Sequence, residues 1–432
     1  MRSSTRIGAV AAVVVAVACN TSKLLDVNAP NSVPVTVFDN PGAASLMINS
    51  VIGNFECAFG AAVGVEGIIS DELADAQLGA AQWPYDRRDA NTQTNGIYGT
   101  TGCTGSQAFG IYTPLSTARW QADEATKKLT AWTDAEVANR ATYIAQMNLY
   151  AGFSYAMLGM SMCQAAFDLG PQLDQKAMFA LAEKRFTDVI AAATTPALAS
   201  VLNAAYVGRA RVRLFQGNTA GAIADAQLVP KGFVFNASSD NSDGGGRRGN
   251  RIYVATQQTG NYTVEPVSLN LTTETGEPDP RAAVIVTTAR AADSRSVISV
   301  PKKYSSGTAV ANNAVGNAIP IPIARYEEAQ LILAEAQGGA SAVTIINAMR
   351  ATVGLKPYVG ATDAASIKTL VIDERRRALF VEGFRNYDIQ RFLLPLNPAT
   401  GSTYPRVGGT YGTTTCLPLP DVERVNNPSI TP

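Results

Sequence analysis

Ile372-Asp373-Glu374-Arg375-Arg376-Arg377-Ala378-Leu379-Phe380-Val381-Glu382-Gly383-Phe384-Arg385-Asn386-Tyr387-Asp388-Ile389-Gln390-Arg391 is the stretch on which the fold turns. Ile372, Leu379, Phe380, Phe384 and Tyr387 recur near one face at helical spacing. That pattern predicts an amphipathic helix whose apolar side enters a core. The charges fall three apart: Glu374 with Arg377, Glu382 with Arg385, Arg385 with Asp388, and Asp388 with Arg391. This is the spacing at which side chains meet along a helix, and an exposed pair there contributes only a few tenths of a kcal/mol. Partly buried, the same planar guanidinium forks fix how the helix docks on its neighbours. The ladder therefore reads as structural rather than as a catalytic carboxylate pair.

Upstream, the same periodicity recurs in pairs. Phe179, Ala182, Phe186, Val189 and Ile190 mark one face of a helix. Ala205–Gly217 and Ala220–Leu228 follow, with Gly217-Asn218 suited to the turn between them. Gly208, Ala222 and Ala226 are small enough to let those two helices approach closely. Tyr326–Gln337 and Ala340–Thr352 form another pair around Gly338-Gly339. The units resemble tetratricopeptide-like hairpins with an irregular period. Nearer the start, Ala43–Ile52 reads as a short helix, and Thr113–Trp132 and Thr142–Gly159 as longer ones. Between the hairpins, residues 230–321 are loop-rich. Asn236–Asn250 is rich in Ser, Asp, Asn and Gly, and runs such as Val284-Ile285-Val286 suggest a few short strands. The glycines at 244–246 precede no helical pattern and no Lys-Ser/Thr, so they do not cradle phosphate. After residue 392, recurring Pro and Gly predict an irregular tail over the body. The expected architecture is all-α: hairpins over about 113–229 and 322–392, a loop-rich insertion, and a tail from 393 to 432, in one domain from residue 19.

Composition narrows the chemistry. Hydrophobic residues make up 46% and charged residues 16% of the 432, enough apolar material for a sizeable core. Lys plus Arg is 35 and Asp plus Glu is 35, so no basic excess exists to neutralise a phosphate backbone, and nucleic acid is not an expected partner. Histidine is absent. That excludes a Ser-His-Asp or Cys-His nucleophile system and any His-ligated metal site. General acid–base work would fall to carboxylates, Lys, Tyr or Cys. No metal and no cofactor are expected.

The first residues are a secretory signal. Arg2 and Arg6 precede the apolar run Ile7–Ala18, which is too short to span about 30 Å of hydrocarbon. Ala16-Val17-Ala18-Cys19 resembles a bacterial lipobox, implying cleavage of residues 1–18 and acylation of Cys19. Each buried acyl CH₂ contributes about 0.8 kcal/mol to bilayer anchoring. Ala16 stands where a larger aliphatic is usual, and Asn20 is not the Asp that retains a lipoprotein in the inner membrane. Residues 20–40 read as an extended tether broken by Pro30, Pro34 and Pro41. No later stretch reads as long and apolar enough to span a membrane. An exported chain meets oxidising conditions, so Cys57, Cys103, Cys163 and Cys416 are disulfide candidates. Three pairings exist and the sequence does not choose among them, although the reading leans to Cys57 with Cys103 and Cys163 with Cys416.

The run Glu374–Arg391 resembles the C-terminal signature of the SusD/RagB family: Glu-Arg-Arg-Arg, then Glu-Gly-x-Arg, an aromatic and Asp, closing on Arg. Phe384 stands where the family usually has His, and Asn386 where it usually has Trp. Other segments agree in order. They are Leu25-Asp26-Val27-Asn28 with Pro30-Asn31, Asp279-Pro280-Arg281, Arg325-Tyr326 with Ala334-Glu335-Ala336, and Leu417-Pro418-Leu419-Pro420 with Glu423 and Asn427-Pro428. The resemblance implies a SusD-like fold and a surface-exposed, lipid-anchored outer-membrane protein. Such a protein captures oligosaccharides or other nutrients and delivers them to a SusC-like, TonB-dependent transporter. It breaks no bond.

The family keeps no fixed ligand motif, so candidate binding residues come from residue type. Gln82–Asp89 gathers Trp83, Tyr85, Asp86, Arg87 and Arg88 in a segment without helical periodicity. Rings offer rigid apolar area to sugar faces, and guanidinium and carboxylate groups direct hydrogen bonds to hydroxyls. Tyr98, Tyr253 and Tyr262 are further candidates, against the simpler reading that loop tyrosines pin the loop. Two other functions compete. One is a helical scaffold that binds only protein. The other is a glycoside hydrolase using Asp71, Glu72 and Asp75, three carboxylates expected on one short helix with no facing partner.

Overall fold

A 26-residue helix, α1 (Ala44–Ile69), runs through the middle of the body and is buried without interruption from Phe55 to Ile69. The computed structural model in which it is seen describes residues 35–77, 83–91, 96–104, 109–242, 246–307, 313–405 and 408–430. The signal segment, Cys19, most of the tether and Gln82 lie outside the described residues. Sequence reading ended this helix at Ile52; Gly53, Gly60, Gly64 and Gly67 follow, and glycine weakens a helix. Here the glycines make room. A Cβ on Gly60 would sit 2.9 Å from Cγ of Arg251, and one on Gly67 would sit 2.8 Å from Cδ1 of Leu73. By length and composition, the helical stretch Pro41–Ile69 would also serve as a membrane span, contrary to the sequence reading. Its burial marks it as a core helix instead.

Around α1 the helices pack in succession. They are α2 (Tyr112–Ala131), α3 (Arg140–Ser161), α4 (Gln175–Ala192), α5 (Ala199–Phe215), α6 (Thr219–Ala226), α7 (Tyr326–Gln337), α8 (Gly339–Thr352), α9 (Ala364–Ala378) and α10 (Arg385–Phe392). Each of α2 to α6 packs on the one before, and α7 joins the series by packing on α5 and α6 and then against α8 and α9. Local chemistry sets the ends. Asp174 caps α4 through Ala177 N–H at 2.8 Å, and Asn218 caps α6 through Gly221 N–H at 3.0 Å. Gly217 takes the left-handed turn (φ 82°) between α5 and α6 that its position promised.

Gly208 does a different job from the one expected. Its missing Cβ faces Phe186 of α4, not α6, and Gly152 of α3 receives the same ring. A Cβ added at either position would stand 2.5 Å (Gly208) or 2.7 Å (Gly152) from it. Phe186 is thus clamped between two glycine notches. Gly208→Ala is expected to force the ring aside and cost about 1–3 kcal/mol by overpacking, read as a lowered urea midpoint. A midpoint unchanged from wild type would show the ring has room to yield.

The loop-rich insertion supplies most of the β structure, all as two-stranded antiparallel ribbons. β1 (Leu73–Asp75) pairs with β5 (Tyr262–Val264), β2 (Gln164–Ala165) with β3 (Leu173–Asp174), β4 (Val234–Ala237) with β8 (Ile321–Arg325), and β6 (Val284–Arg290) with β7 (Val297–Pro301). No closed sheet forms among the described residues, and the fold is predominantly helical with minor strand content. The cysteines are bonded Cys57–Cys103 and Cys163–Cys416, with Cα atoms 5.6 Å and 5.0 Å apart. The second bridge fastens the tail beside a backbone pairing, Cys163 N–H to Leu417 O at 2.8 Å.

The deciding stretch is not one helix. α9 ends at Ala378, residues 379–384 turn, and α10 begins at Arg385. Val381 (φ 51°) and Gly383 (φ 83°) adopt left-handed conformations that no α-helix accommodates. Two of the four expected rungs survive: Glu374–Arg377 at 2.7 Å and Asp388–Arg391 at 2.7 Å. The turn breaks Glu382–Arg385, and Arg385–Asp388, although inside α10, gives way to other partners, with Asp388 taken by Arg375 at 2.8 Å. Glu382 instead receives Arg325 at 3.0 Å and Lys303 at 2.6 Å, and Arg385 reaches Asp71 at 2.7 Å. The ladder has become a hub. Arg281 of the Asp-Pro-Arg motif binds Glu374 at 2.7 Å, Arg350 binds the same carboxylate at 2.7 Å, and Arg391 grips Glu335 of the Ala-Glu-Ala helix. Arg281, Arg325 and Glu335, from three of the motif segments, converge on α9, α10 and the turn between them.

Candidate functional site

The 83–91 segment folds as one helical turn, Trp83–Asp86, followed by a bend. Its polar groups face inward. Asp86 accepts the Tyr404 hydroxyl at 2.9 Å. Arg88, in a left-handed conformation, donates to the carbonyls of Asn397 and Pro398 and lies over the Tyr411 ring at 4.9 Å. Arg87 pairs with Asp89 at 2.7 Å and lies over Tyr404. The cluster that sequence reading offered to a ligand thus clasps the C-terminal tail.

The tyrosines lie deeper still. Tyr85, Tyr98, Tyr253 and Tyr262 are all buried, so their ring faces are turned to protein. Tyr85 donates to the Phe109 carbonyl at 3.0 Å, and Tyr262 meets the Phe109 ring edge-on at 6.0 Å. Tyr85 and Tyr262 are therefore grouped around Phe109, as a floor and not as an open platform. Burial raises the hydroxyl pKa of Tyr85 and Tyr253, in keeping with packed rings. Trp83 is the one aromatic of the set that is only half-buried.

A small polar pocket, of about 10 Å³, lies elsewhere, where α1 meets the end of β4 and the following loop. Gly53, Glu56, Gly60, Ser238, Ser239, Arg247, Arg248 and Arg251 line it. Glu56 accepts Ser238 N–H at 2.8 Å, and burial lifts its carboxyl above the usual range. The loop is pinned by Arg248–Asp240 at 2.8 Å and by Asp240 N–H to Arg248 O at 3.0 Å. Its far end is fixed by Asn250, which caps Ile252 and Tyr253 and donates to Ile319 O. Cys57–Cys103 ties the 96–104 loop to α1 next to Glu56. The cleft thus gathers guanidinium, carboxylate and hydroxyl groups on rigid supports, suited to directed hydrogen bonds. Sequence reading dismissed this segment as flexible because Ser, Asp and Gly dominate it. The legible signal was Arg247-Arg248 at its end.

The three carboxylates weighed for hydrolysis are not arranged for it. Asp71 is held by both Nε and Nη2 of Arg385, at 2.7 and 2.8 Å, and these interactions keep its pKa low. Glu72 and Asp75 are buried, and all three follow α1 instead of sharing a helix. Among the described residues, no group of three or more His, Cys, Asp or Glu side chains is placed to hold a metal.

Two buried carboxyls behave differently from the paired ones. Burial pushes Glu66 up to about 7 and Glu72 up to about 8. Glu66 accepts from Asn386 at 2.8 Å and Glu72 from Val381 N–H at 2.9 Å, while the nearby cations Arg385 and Lys303 bond other carboxylates. Both groups have folded values above the ordinary carboxylate value, so the stability they contribute is fully present below about pH 4.5 and is lost as pH rises toward 7 and 8. Unfolding free energy is expected to fall from pH 5 to pH 8, and Glu66→Gln with Glu72→Gln to flatten that slope. Urea titrations across this range test it, and an equal slope in the double variant contradicts it.

Comparison with known proteins places this arrangement. Residues 282–423 match the model of the SusD family, a span that includes Glu374, Arg325 and Arg391. A laminarin-binding SusD-like protein shares the fold at TM-score 0.62 and 17% identity, over 91% of this chain and 98% of that one. A SusD superfamily protein from Bacteroides fragilis does so at TM-score 0.64 and 16% identity, over 91% and 99%. Surface glycan-binding protein A from Bacteroides uniformis does so at 0.60 and 15%, over 90% and 98%. No curated protein matches the chain by sequence. SusD family proteins are binding proteins and not catalysts. The C-terminal span, with its arginine–carboxylate hub, thus matches the SusD family model, and the fold is shared along nearly the whole chain with SusD-like proteins.

Proposed function

We propose that the protein is a lipid-anchored outer-membrane lipoprotein that binds oligosaccharides and passes them to a SusC-like, TonB-dependent transporter. The observation that carries this reading is the whole-chain fold correspondence with a laminarin-binding SusD-like protein, combined with the family match over residues 282–423. Cys19 is the proposed point of acylation, and the bilayer is reached through it. The polar cleft at Glu56, Ser238, Arg247 and Arg248 supplies directed donors and acceptors for sugar hydroxyls. Trp83 remains a proposed stacking residue because its ring is only half-buried.

Isothermal titration of the mature protein against a panel that includes laminari-oligosaccharides tests the reading. Binding to at least one glycan is expected, with Arg247→Ala plus Arg248→Ala weakening it about tenfold, the loss of one or two directed hydrogen bonds. Co-purification with a TonB-dependent barrel from native membranes tests the delivery step. A barrel partner with no glycan binding across the panel would favour a scaffold that binds only protein.

A further inference from the structure

The polar pocket beside α1 is too small for a sugar ring. At about 10 Å³ it has room for little more than one water molecule. A glycan lying over it can send in one exocyclic group, and the lining selects which. Arg247, Arg248 and Arg251 stand there against one lining carboxyl, Glu56. Asp240 answers Arg248 at 2.8 Å. Counting it, three cations face two carboxyls among these residues. Burial raises the Glu56 carboxyl, which disfavours its negative charge. The local balance is therefore positive.

The cations are held by the fold. Arg251 is 3% exposed, and its stem passes Gly60 of α1, the notch where a Cβ would stand 2.9 Å from its Cγ. Arg248 is tied to Asp240 by its side chain and by its carbonyl, which accepts Asp240 N–H at 3.0 Å. Arg247, beside it, is exposed. One guanidinium is thus buried and another is open to solvent. Guanidinium donates and never accepts. A sugar hydroxyl brings a proton that these groups cannot take. A carboxylate brings two acceptor oxygens and no proton, and it matches the planar fork. A sulfate ester carries a third terminal oxygen on a tetrahedral centre, more than so small a space admits.

We propose that this pocket binds the carboxylate of a uronic acid residue, so that the glycans this protein takes are acidic. The inference rests on the reading above that the polar cleft is where the glycan is held. The sugar ring stays outside, and only the charged group on its C5 enters among the arginines.

The test is isothermal titration of the mature protein with trigalacturonate and triglucuronate. Each is paired with its carboxyl-reduced counterpart, in which CH₂OH replaces the carboxylate at nearly the same size. Laminaritriose and a sulfated galactose trimer complete the set. At least one acid is expected to bind about tenfold more tightly than its reduced partner, the effect of charge-assisted hydrogen bonds. Added salt should erode that advantage and leave the neutral sugar unaffected. Arg247→Gln, at an exposed position that leaves Arg248–Asp240 intact, should cut the advantage to about threefold, since that cation is screened by solvent. Glu56→Gln keeps an acceptor for Ser238 N–H and should bind the acid at least as tightly as wild type. Equal binding of acid and reduced partner, or binding of laminaritriose alone, overturns this inference and leaves the transport reading standing. Tighter binding of the sulfated trimer than of either uronate overturns the carboxylate assignment. Binding of no glycan at all overturns the transport reading and this inference with it.

Discussion

Glu374→Gln is expected to cost about 3–5 kcal/mol of folding stability, the usual penalty for breaking a buried ion pair by removing one partner. Glu374 is 0% exposed and accepts from three guanidiniums, those of Arg281, Arg350 and Arg377, each at 2.7 Å. Those cations hold its carboxyl below the ordinary value despite burial. Glutamine preserves the shape and removes the charge. Asp279 and Glu274 also engage these arginines, so the residual network is short of one negative charge rather than empty. Urea unfolding of the variant beside wild type gives the measurement. A loss under 1 kcal/mol would mean that the hub tolerates an unpaired cation by admitting solvent.

Removing the Cys163–Cys416 bridge by paired serine substitutions is expected to be as damaging. The two cysteines are 253 residues apart, and the chain-entropy account gives about 5.5 kcal/mol for closing a loop of that length. For Cys57–Cys103, separated by 46 residues, it gives about 4 kcal/mol. The order of the two losses is the sharper prediction. The longer loop also fastens the tail, so its removal should free residues near 404–417 to proteolysis before the body unfolds. Denaturant midpoints of the two double-serine variants, with limited proteolysis, check both points. A larger loss from the Cys57–Cys103 variant would show that native-state docking outweighs chain entropy.

Much of the fold was legible because it rests on periodicity. Phe179, Ala182, Phe186 and Val189 announced α4, and all four are buried. The motif residues Asp279, Arg281, Glu335, Glu374 and Arg391 announced their own importance, although not their partners. Local spacing cannot reveal that Glu382 binds Arg325, 57 positions away, or that Arg385 binds Asp71, 314 positions away. Gly383 hinted at the turn between α9 and α10, but the left-handed Val381 carried no signal at all. α1 is longer than the sequence reading had it. A propensity rule penalises its glycines, while tertiary contact with Arg251 and Leu73 requires them. The site was less legible than the fold. Residue type identified Tyr85 and Tyr98 as sugar platforms, but whether a ring faces solvent depends on elements distant in sequence. Arg88 looked like a ligand donor and proved to hold residues 397 and 398.

The course of α1 has a mechanical consequence. Twenty-six helical residues extend about 39 Å, from the half-open surface near Asp39 into the heart of the molecule. A pull applied at residue 35 would be borne along the axis of a rod, sheared against α2 and α3 on its flanks, and not taken up by peeling one strand at a time. A protein tugged at that point should therefore swing as a solid piece.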